Sequence, residues 1–226
     1  MGTKDSWEGK ISRRDFLALA GGIISAISLG DIARAGSSFA AATGFPELHC
    51  GDKGATGKRI LVAYASKHGS TGGVAEAIGK ELCNRGAAVD VLLAKNASNL
   101  NSYHGVVVGS PIYAGTWLPD AVDFLKTNNE ALRKVPVAYF QVCMTMRNKT
   151  EENLKKAVTY LDSVLRGVPQ IKPVATGTFA GAVDYGKLSE VEKQILKSRG
   201  TPEGDFRDWK AIQTWATGPD LTKMTQ

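Results

Sequence analysis

A short apolar run that breaks into a loop of hydroxyls and glycines, and then into a helix, leaves a chain few ways to fold. Arg59 to Gly73 reads RILVAYASKHGSTGG. Ile60, Leu61, Val62, Ala63 and Tyr64 form a nearly continuous apolar stretch, the pattern of a strand buried on both faces of a parallel sheet. The run ends in Ser66-Lys67-His68-Gly69-Ser70-Thr71-Gly72. Beyond it Val74, Ile78 and Leu82 recur on one helical face, and Gly86 stops the helix. Strand, small-residue loop and helix in that order build an anion site, because the loop and first helical turn aim backbone N–H groups and the helix dipole at one point. The hydroxyls of Ser66, Ser70 and Thr71 add donors suited to a phosphate monoester. An ordinary strand-to-helix turn requires neither three hydroxyls nor three glycines.

Two common nucleotide patterns are excluded. Gly57-Lys58 is followed by Arg59 where a P-loop needs Ser or Thr, and it precedes the strand instead of following it. No G-x-G-x-x-G occurs, so the dinucleotide fingerprint is absent.

The chain begins with a different kind of signal. Ser12-Arg13-Arg14-Asp15-Phe16-Leu17 matches the core of a twin-arginine export signal, and Phe16 to Gly30 is uncharged and mostly apolar. That stretch is short of the ~20 residues a membrane-spanning helix needs. Ala33-Arg34-Ala35 has the A-x-A spacing of a cleavage site. Residues 1–35 are therefore expected to be a signal read by the twin-arginine translocase, which carries folded and often cofactor-loaded proteins. The mature protein is expected in the periplasm, or anchored to the membrane if the signal stays uncut. Residues 36–57 read as a linker, 58–218 as one domain and 219–226 as a C-terminal tail.

The chain carries 28 Lys+Arg against 22 Asp+Glu; without residues 1–35 the balance is 23 to 18, or +5. That excess is spread out, with no basic run and no aromatic-interleaved basic motif, so nucleic acid is not an expected partner. Cys50, Cys83 and Cys143 form no C-x-x-C and no metal spacing. Cys83, beside Leu82, reads as a small buried apolar residue, and the odd count leaves at least one thiol free. No disulfide, metal ligand or catalytic nucleophile is assigned.

Four further strands follow: Ala87 to Ala94, Gly105 to Gly109, Val135 to Val142, and Ile171 to Phe179. Pro173 suggests an edge position for the last. Between them Val122, Leu125 and Leu132 mark one helix, and Leu154, Val158, Leu161 and Leu165 another. A charged region, Ala180 to Phe206, holds a helix around Leu188 to Lys197, and a final helix from Asp208 to Ala216 turns Trp209, Ile212 and Trp215 to the sheet. Five strands alternating with helices make an α/β, doubly wound parallel sheet. Ligands of such sheets bind beyond the carboxyl ends of the strands at the switch in strand order. Three loops meet there: Ser66 to Gly72, Ser110 to Trp117, and Cys143 to Arg147.

The first of these loops resembles the phosphate loop of the flavodoxins, a strand followed by T/S-x-T-G-x-T, with His68 in place of a usual hydroxyl. Within that superfamily the chain is similar to the menaquinone-dependent protoporphyrinogen IX dehydrogenase group. Gly181-Ala182-Val183-Asp184-Tyr185-Gly186-Lys187-Leu188 resembles its G-x-V-D-x-x-K-L stretch, and Asp205-Phe206-Arg207-Asp208-Trp209 its D-Y/F-T/R-D-W segment. The resemblance implies a flavodoxin-like five-stranded sheet of order 2-1-3-4-5 with FMN as cofactor. It places Ser66, His68, Gly69, Ser70 and Thr71 on the phosphate, with Lys67 adding charge, and Ser110, Tyr113 and Gly115 beside the ring. Trp117 is either a stacking partner or a packing residue, and Met144 and Thr145 border the ring or, for Met144, pack in the core. Asp184 and Asp208 read as helix caps. The expected function is an exported FMN oxidoreductase acting on a quinone or other flat organic substrate. The alternatives are a flavodoxin carrying single electrons to a redox protein and a flavin-free module of the same fold.

Overall fold

The structure is a computed structural model that describes residues 45–51 and 57–226. The twin-arginine motif, the apolar stretch and the A-x-A site all lie outside the described residues.

The elements in chain order are β1 (Leu48–Cys50), β2 (Arg59–Tyr64), α1 (Ser70–Asn84), β3 (Ala88–Leu93), β4 (Gly105–Tyr113) and β5 (Thr116–Trp117). They continue with α2 (Pro119–Thr127), α3 (Asn129–Leu132), β6 (Val137–Val142), α4 (Glu151–Gly167) and β7 (Ala175–Phe179). The last are β8 (Ala182–Val183), α5 (Glu190–Ser198), β9 (Gly204–Asp205), α6 (Trp209–Ala216) and α7 (Pro219–Thr225). The sheet runs β1-β3-β2-β4-β6-β7, with β5 paired to β4. All pairings among β3, β2, β4, β6 and β7 are parallel. Numbered in chain order, these five strands stand 2-1-3-4-5, as expected, and β7 is an edge.

Alternation along β2 divides the core into two layers. Ile60, Val62 and Tyr64 face the layer that holds Val74, Ile78 and Leu82 of α1, Ile212 of α6, and Leu221 and Met224 of α7. Leu61 and Ala63 face the other, built from Ala121 and Leu125 of α2, Leu132 of α3, and Leu161 and Val164 of α4. A strand buried on both faces must read as a continuous apolar run, which is why RILVAY carries no polar alternation.

Several expectations are corrected. The stretch read as a linker supplies β1, which adds antiparallel to β3 and is tied down three ways. Cys50 and Cys83 form a disulfide between β1 and α1, so Cys83 is not merely a packing residue. Tyr64 donates its hydroxyl to the Pro46 carbonyl at 2.9 Å, and His49 Nδ1 lies 2.6 Å from Asp90 Oδ1. The C-terminal tail is also structural, because α7 buries Leu221 and Met224. On α4 the buried face is Ala157, Leu161 and Val164, while Leu154 and Val158 are exposed. Trp209 does not face the sheet; it is 40% exposed under the Arg207 guanidinium, which lies 4.3 Å from its ring centre.

Candidate functional site

The three loops expected at the switch point leave the carboxyl ends of β2, β4 and β6. The first is shaped by Gly69, whose φ of +88° is open to glycine at little cost. Gly69 stands at the N-cap of α1 with no side-chain cap, and the first turn of α1 contains no acidic residue. Ser66 Oγ accepts the Gly69 N–H at 3.0 Å, which folds the loop back across the helix start. The N–H groups of the first helical turn have no partner within the helix, so they remain as donors for an anion. Thr71 is buried. Ser70 Oγ accepts the Ala182 N–H at 2.7 Å and keeps its own proton to donate. The Arg207 guanidinium, bound to both oxygens of Asp205, brings its NH1 to 3.5 Å from the Ser70 carbonyl.

The second loop is a β-hairpin. β4 continues to Tyr113 and pairs back on β5, Ile112 with Trp117 and Tyr113 with Thr116. The two turn residues, Ala114 (φ 51°) and Gly115 (φ 86°), are both left-handed, as a tight two-residue hairpin turn demands. Ser110 stitches the base of the hairpin: its hydroxyl donates to the Pro111 carbonyl and accepts the Leu118 N–H, both at 2.9 Å. Ser110 is fully buried, and both of its hydrogen bonds shape the loop. Of the two roles expected for Trp117, the structure favours packing. It is 2% exposed, edge-on to Tyr139 at 5.5 Å, with its indole N–H donated to Gln141 Oε1. Packing, not stacking, is its role. Tyr113, 40% exposed at the hairpin tip, is the aromatic left at the surface.

The third loop is a 3-10 turn, Met144–Arg147. Met144 and Thr145 are partly exposed, and Thr145 Oγ1 lies 3.3 Å from the Tyr160 hydroxyl. Burial pushes the thiol of neighbouring Cys143 up, which keeps it protonated. Asp184 and Asp208 are caps, accepting from the N–H of Gly186 and Ala211.

The structure adds one residue the sequence reading missed. Glu192, in the first turn of α5, places Oε1 at 2.8 Å from Lys67 Nζ, 3.0 Å from His68 Nε2 and 2.7 Å from the Tyr113 hydroxyl. Oε2 accepts the N–H and the hydroxyl of Ser189 in a capping box. Lys67 also lies 4.2 Å from the centre of the Tyr113 ring and donates to its hydroxyl at 2.9 Å. Lys67, then Ser189 and Tyr113, hold the Glu192 carboxyl well below the usual carboxylate range. Glu192 and Tyr113 in turn raise the Lys67 ammonium. The S-x-x-E spacing of Ser189 and Glu192 was a legible helix-start signal; nothing local to it announces contacts 79 and 124 residues upstream.

Residues 61–208 match the family described as Flavodoxin domain. A relative in Leishmania major, protoporphyrinogen IX dehydrogenase [quinone], is 23% identical over 171 residues, covering 70% of this chain and 73% of that protein. Similar solved structures include oxidised Flavodoxin 2 from Bacillus cereus, at 21% identity and a TM-score of 0.43 over 70% of this chain and 94% of that one. Two-electron reduced flavodoxin from Megasphaera elsdenii is similar at 15% identity and a TM-score of 0.44, over 70% and 97% of the two chains. FMN fits the residues present: uncapped helical N–H donors and the hydroxyls of Ser66, Ser70 and Thr71 suit its phosphate dianion, and Tyr113 offers an aromatic face beside them. The chain belongs to the flavodoxin domain family, whose cofactor is FMN and whose work is oxidation–reduction or electron transfer.

Proposed function

We propose that this protein is an exported FMN-dependent oxidoreductase that passes electrons between FMN and a quinone or another flat organic substrate. When bound, FMN supplies the electron-transfer chemistry. The chain's residues bind and orient it: the first turn of α1 with Ser66, Ser70 and Thr71 grips the phosphate, while Tyr113, Met144 and Thr145 border the ring. The observation that carries the enzyme reading is the similarity to the Leishmania protoporphyrinogen IX dehydrogenase [quinone] across most of both chains. A carrier that serves only a redox protein is the competing reading.

Stopped-flow oxidation of the reduced, FMN-loaded protein by a short-chain quinone separates the two. The oxidation rate is expected to saturate with quinone concentration and to fall in Tyr113→Ala. A rate that stays linear and is indifferent to Tyr113, beside fast oxidation by a one-electron redox protein, would establish the carrier instead.

Export rests on Arg13-Arg14 and its flanking sequence, and it gains support from the Cys50–Cys83 disulfide, a bond that persists in oxidising compartments. The twin-arginine translocase is then the partner during transport, and an uncut signal would leave a membrane anchor. Among the described residues no helix is long and apolar enough to cross a membrane. Arg13→Lys with Arg14→Lys keeps the charge but loses the planar guanidinium forks. Precursor accumulation in the cytoplasm is expected for that variant; unchanged export would refute the proposal.

A further inference from the structure

The ends of the segment from Ala180 to Phe206 are fixed, since Ala180 and Phe206 pack with Cys143, Met146 and Ala157, whereas the stretch between them is closed upon itself. Its ends are clipped by β8 on β9, where Ala182 pairs with Asp205 and Val183 with Gly204, and by the Phe206 N–H donated to the Gly181 carbonyl. Inside it, the Tyr185 hydroxyl donates to the Thr201 carbonyl and the Tyr185 N–H to Glu203. α5 itself buries no residue, and its apolar side chains Val191 and Ile195 are 66% and 43% exposed. Apolar packing therefore does not hold this helix down. Its Glu192 instead reaches the two loops that meet FMN: Lys67 and His68 beside the phosphate, and Tyr113 beside the ring. Arg147 adds a long contact at the far end, 3.4 Å to the Gly200 carbonyl, and lies 5.8 Å from the centre of the Phe206 ring at the clipped end.

We propose that Ala180–Phe206 is a cover over the FMN site, pivoting on the β8–β9 clip, and that Glu192 is its latch. Closed, it holds Lys67, His68 and Tyr113 in one arrangement and slows the passage of FMN. Opening breaks three contacts on one carboxylate and the long Arg147 contact to Gly200, while the clip, and the Ser70 Oγ contact to Ala182 at its base, stay made. Glu192 is thus a positioning residue that acts on the cofactor through Lys67, His68 and Tyr113. The inference rests on FMN binding, and the test below distinguishes the failure of each.

The FMN-loaded protein is diluted into buffer, and release is followed by the return of free-flavin fluorescence. Glu192→Ala is expected to release FMN about tenfold faster, the scale of one to two charge-assisted hydrogen bonds at a partly exposed site. Glu192→Gln, which keeps an acceptor but loses the charge, should fall between it and the parent. Trypsin cleavage after Lys193 and Lys197 should accelerate in the same order, while the thermal midpoint stays within about 2 °C. Should Glu192→Ala fail to fold, the same order is read from Glu192→Gln and Tyr113→Phe. Release and cleavage at parental rates in the variants would overturn the latch and leave FMN binding intact. A parent that retains no FMN would overturn both.

Discussion

Asp90 and Glu192 each gather three or more donors on one carboxylate, yet the regions they organise differ in kind. Asp90, 8% exposed on β3, accepts from Arg59 Nε and NH2 at 3.0 and 2.6 Å and from the Tyr103 hydroxyl at 2.8 Å, with His49 Nδ1 at 2.6 Å. It joins β1, β2 and β3 inside the sheet, next to the disulfide. Glu192 joins an exposed helix to two loops at the opposite, carboxyl edge. Burial makes the first cluster costly to break and keeps it in one state. The Glu192 side chain is nearly as covered as that of Asp90, at 14% against 11% exposed. Its partners Lys67 and Tyr113, however, are exposed where Asp90 has the buried Tyr103, so the second cluster is cheaper to break and suits a place where a cofactor must pass. One carboxylate serves the fold and the other serves the site.

Removing the disulfide should have the largest effect, and it should fall on stability alone. Closing a loop between Cys50 and Cys83, 33 residues apart, is worth about 3–4 kcal/mol in chain entropy. Cys50→Ala with Cys83→Ala should lower the thermal midpoint by about 10 °C. FMN affinity should be unchanged, because β1 lies on the far side of β3 from the switch point. A loss of affinity matching the loss of stability would mean that the two regions are coupled.

Asp90→Asn tests the same side with a charge. Burial pushes the Asp90 carboxyl up, but His49, Tyr103 and Arg59 outweigh it and its net shift is downward. A group with a depressed folded pKa contributes stability above its unfolded value, near 3.9, and loses it as pH falls through the folded value. The variant should therefore be less stable by about 2–3 kcal/mol at neutral pH, leaving Arg59 without its charge partner. The difference from the parent should shrink below about pH 4, measured by urea unfolding across pH. Tyr103, pushed up to about 12 by burial and by Asp90, stays neutral throughout and keeps donating.

How much of this contrast the chain announces in advance depends on the range of the contacts. The strand, loop and helix at Arg59 to Gly73 were legible because their signal is local, all within fifteen residues. Strand order followed from the alternation of elements. β1 was not legible, since a three-residue strand between Gly44 and Gly57 has too few residues for a period, and only its partner β3 defines it. Trp117 could have stacked or packed; β4 continuing four residues past Gly109 into a hairpin decides it, by turning the indole toward Tyr139 and Gln141. Glu192 carried a local reading, the cap of α5, which hid its second task.

On the site's side, Ser70→Ala removes one hydroxyl donor from the phosphate loop and the acceptor for the Ala182 N–H. FMN affinity should fall about tenfold, the weight of one charge-assisted hydrogen bond. Riboflavin, which lacks the phosphate, should bind nearly as before, by fluorescence titration. Equal losses for both flavins would mean that Ser70 matters only as the anchor of the cover.

The smallest change in stability should come from Lys67→Gln, and it sharpens the comparison most. The Lys67 and Glu192 side chains are 43% and 14% exposed, so their pair is worth under about 0.5 kcal/mol to folding. Unfolding in urea should hardly register the variant. The flavin should register it. Reduction adds negative charge to the ring system, and Lys67 lies on the Tyr113 ring in the loop beside it. Without the ammonium, the Glu192 carboxylate keeps its hydrogen bonds from Ser189 and Tyr113 but loses its lysine cation, and like charges disfavour reduction. The reduction potential of the bound FMN should therefore become more negative, by an amount that salt diminishes because the group is exposed. Glu192→Gln should move the potential the opposite way, and the double variant should return close to the parent. An anaerobic titration with a reference dye, at low and high salt, reads all three. Potentials that ignore both charges would detach this cluster from the flavin and leave Glu192, like Asp90, a matter of the fold.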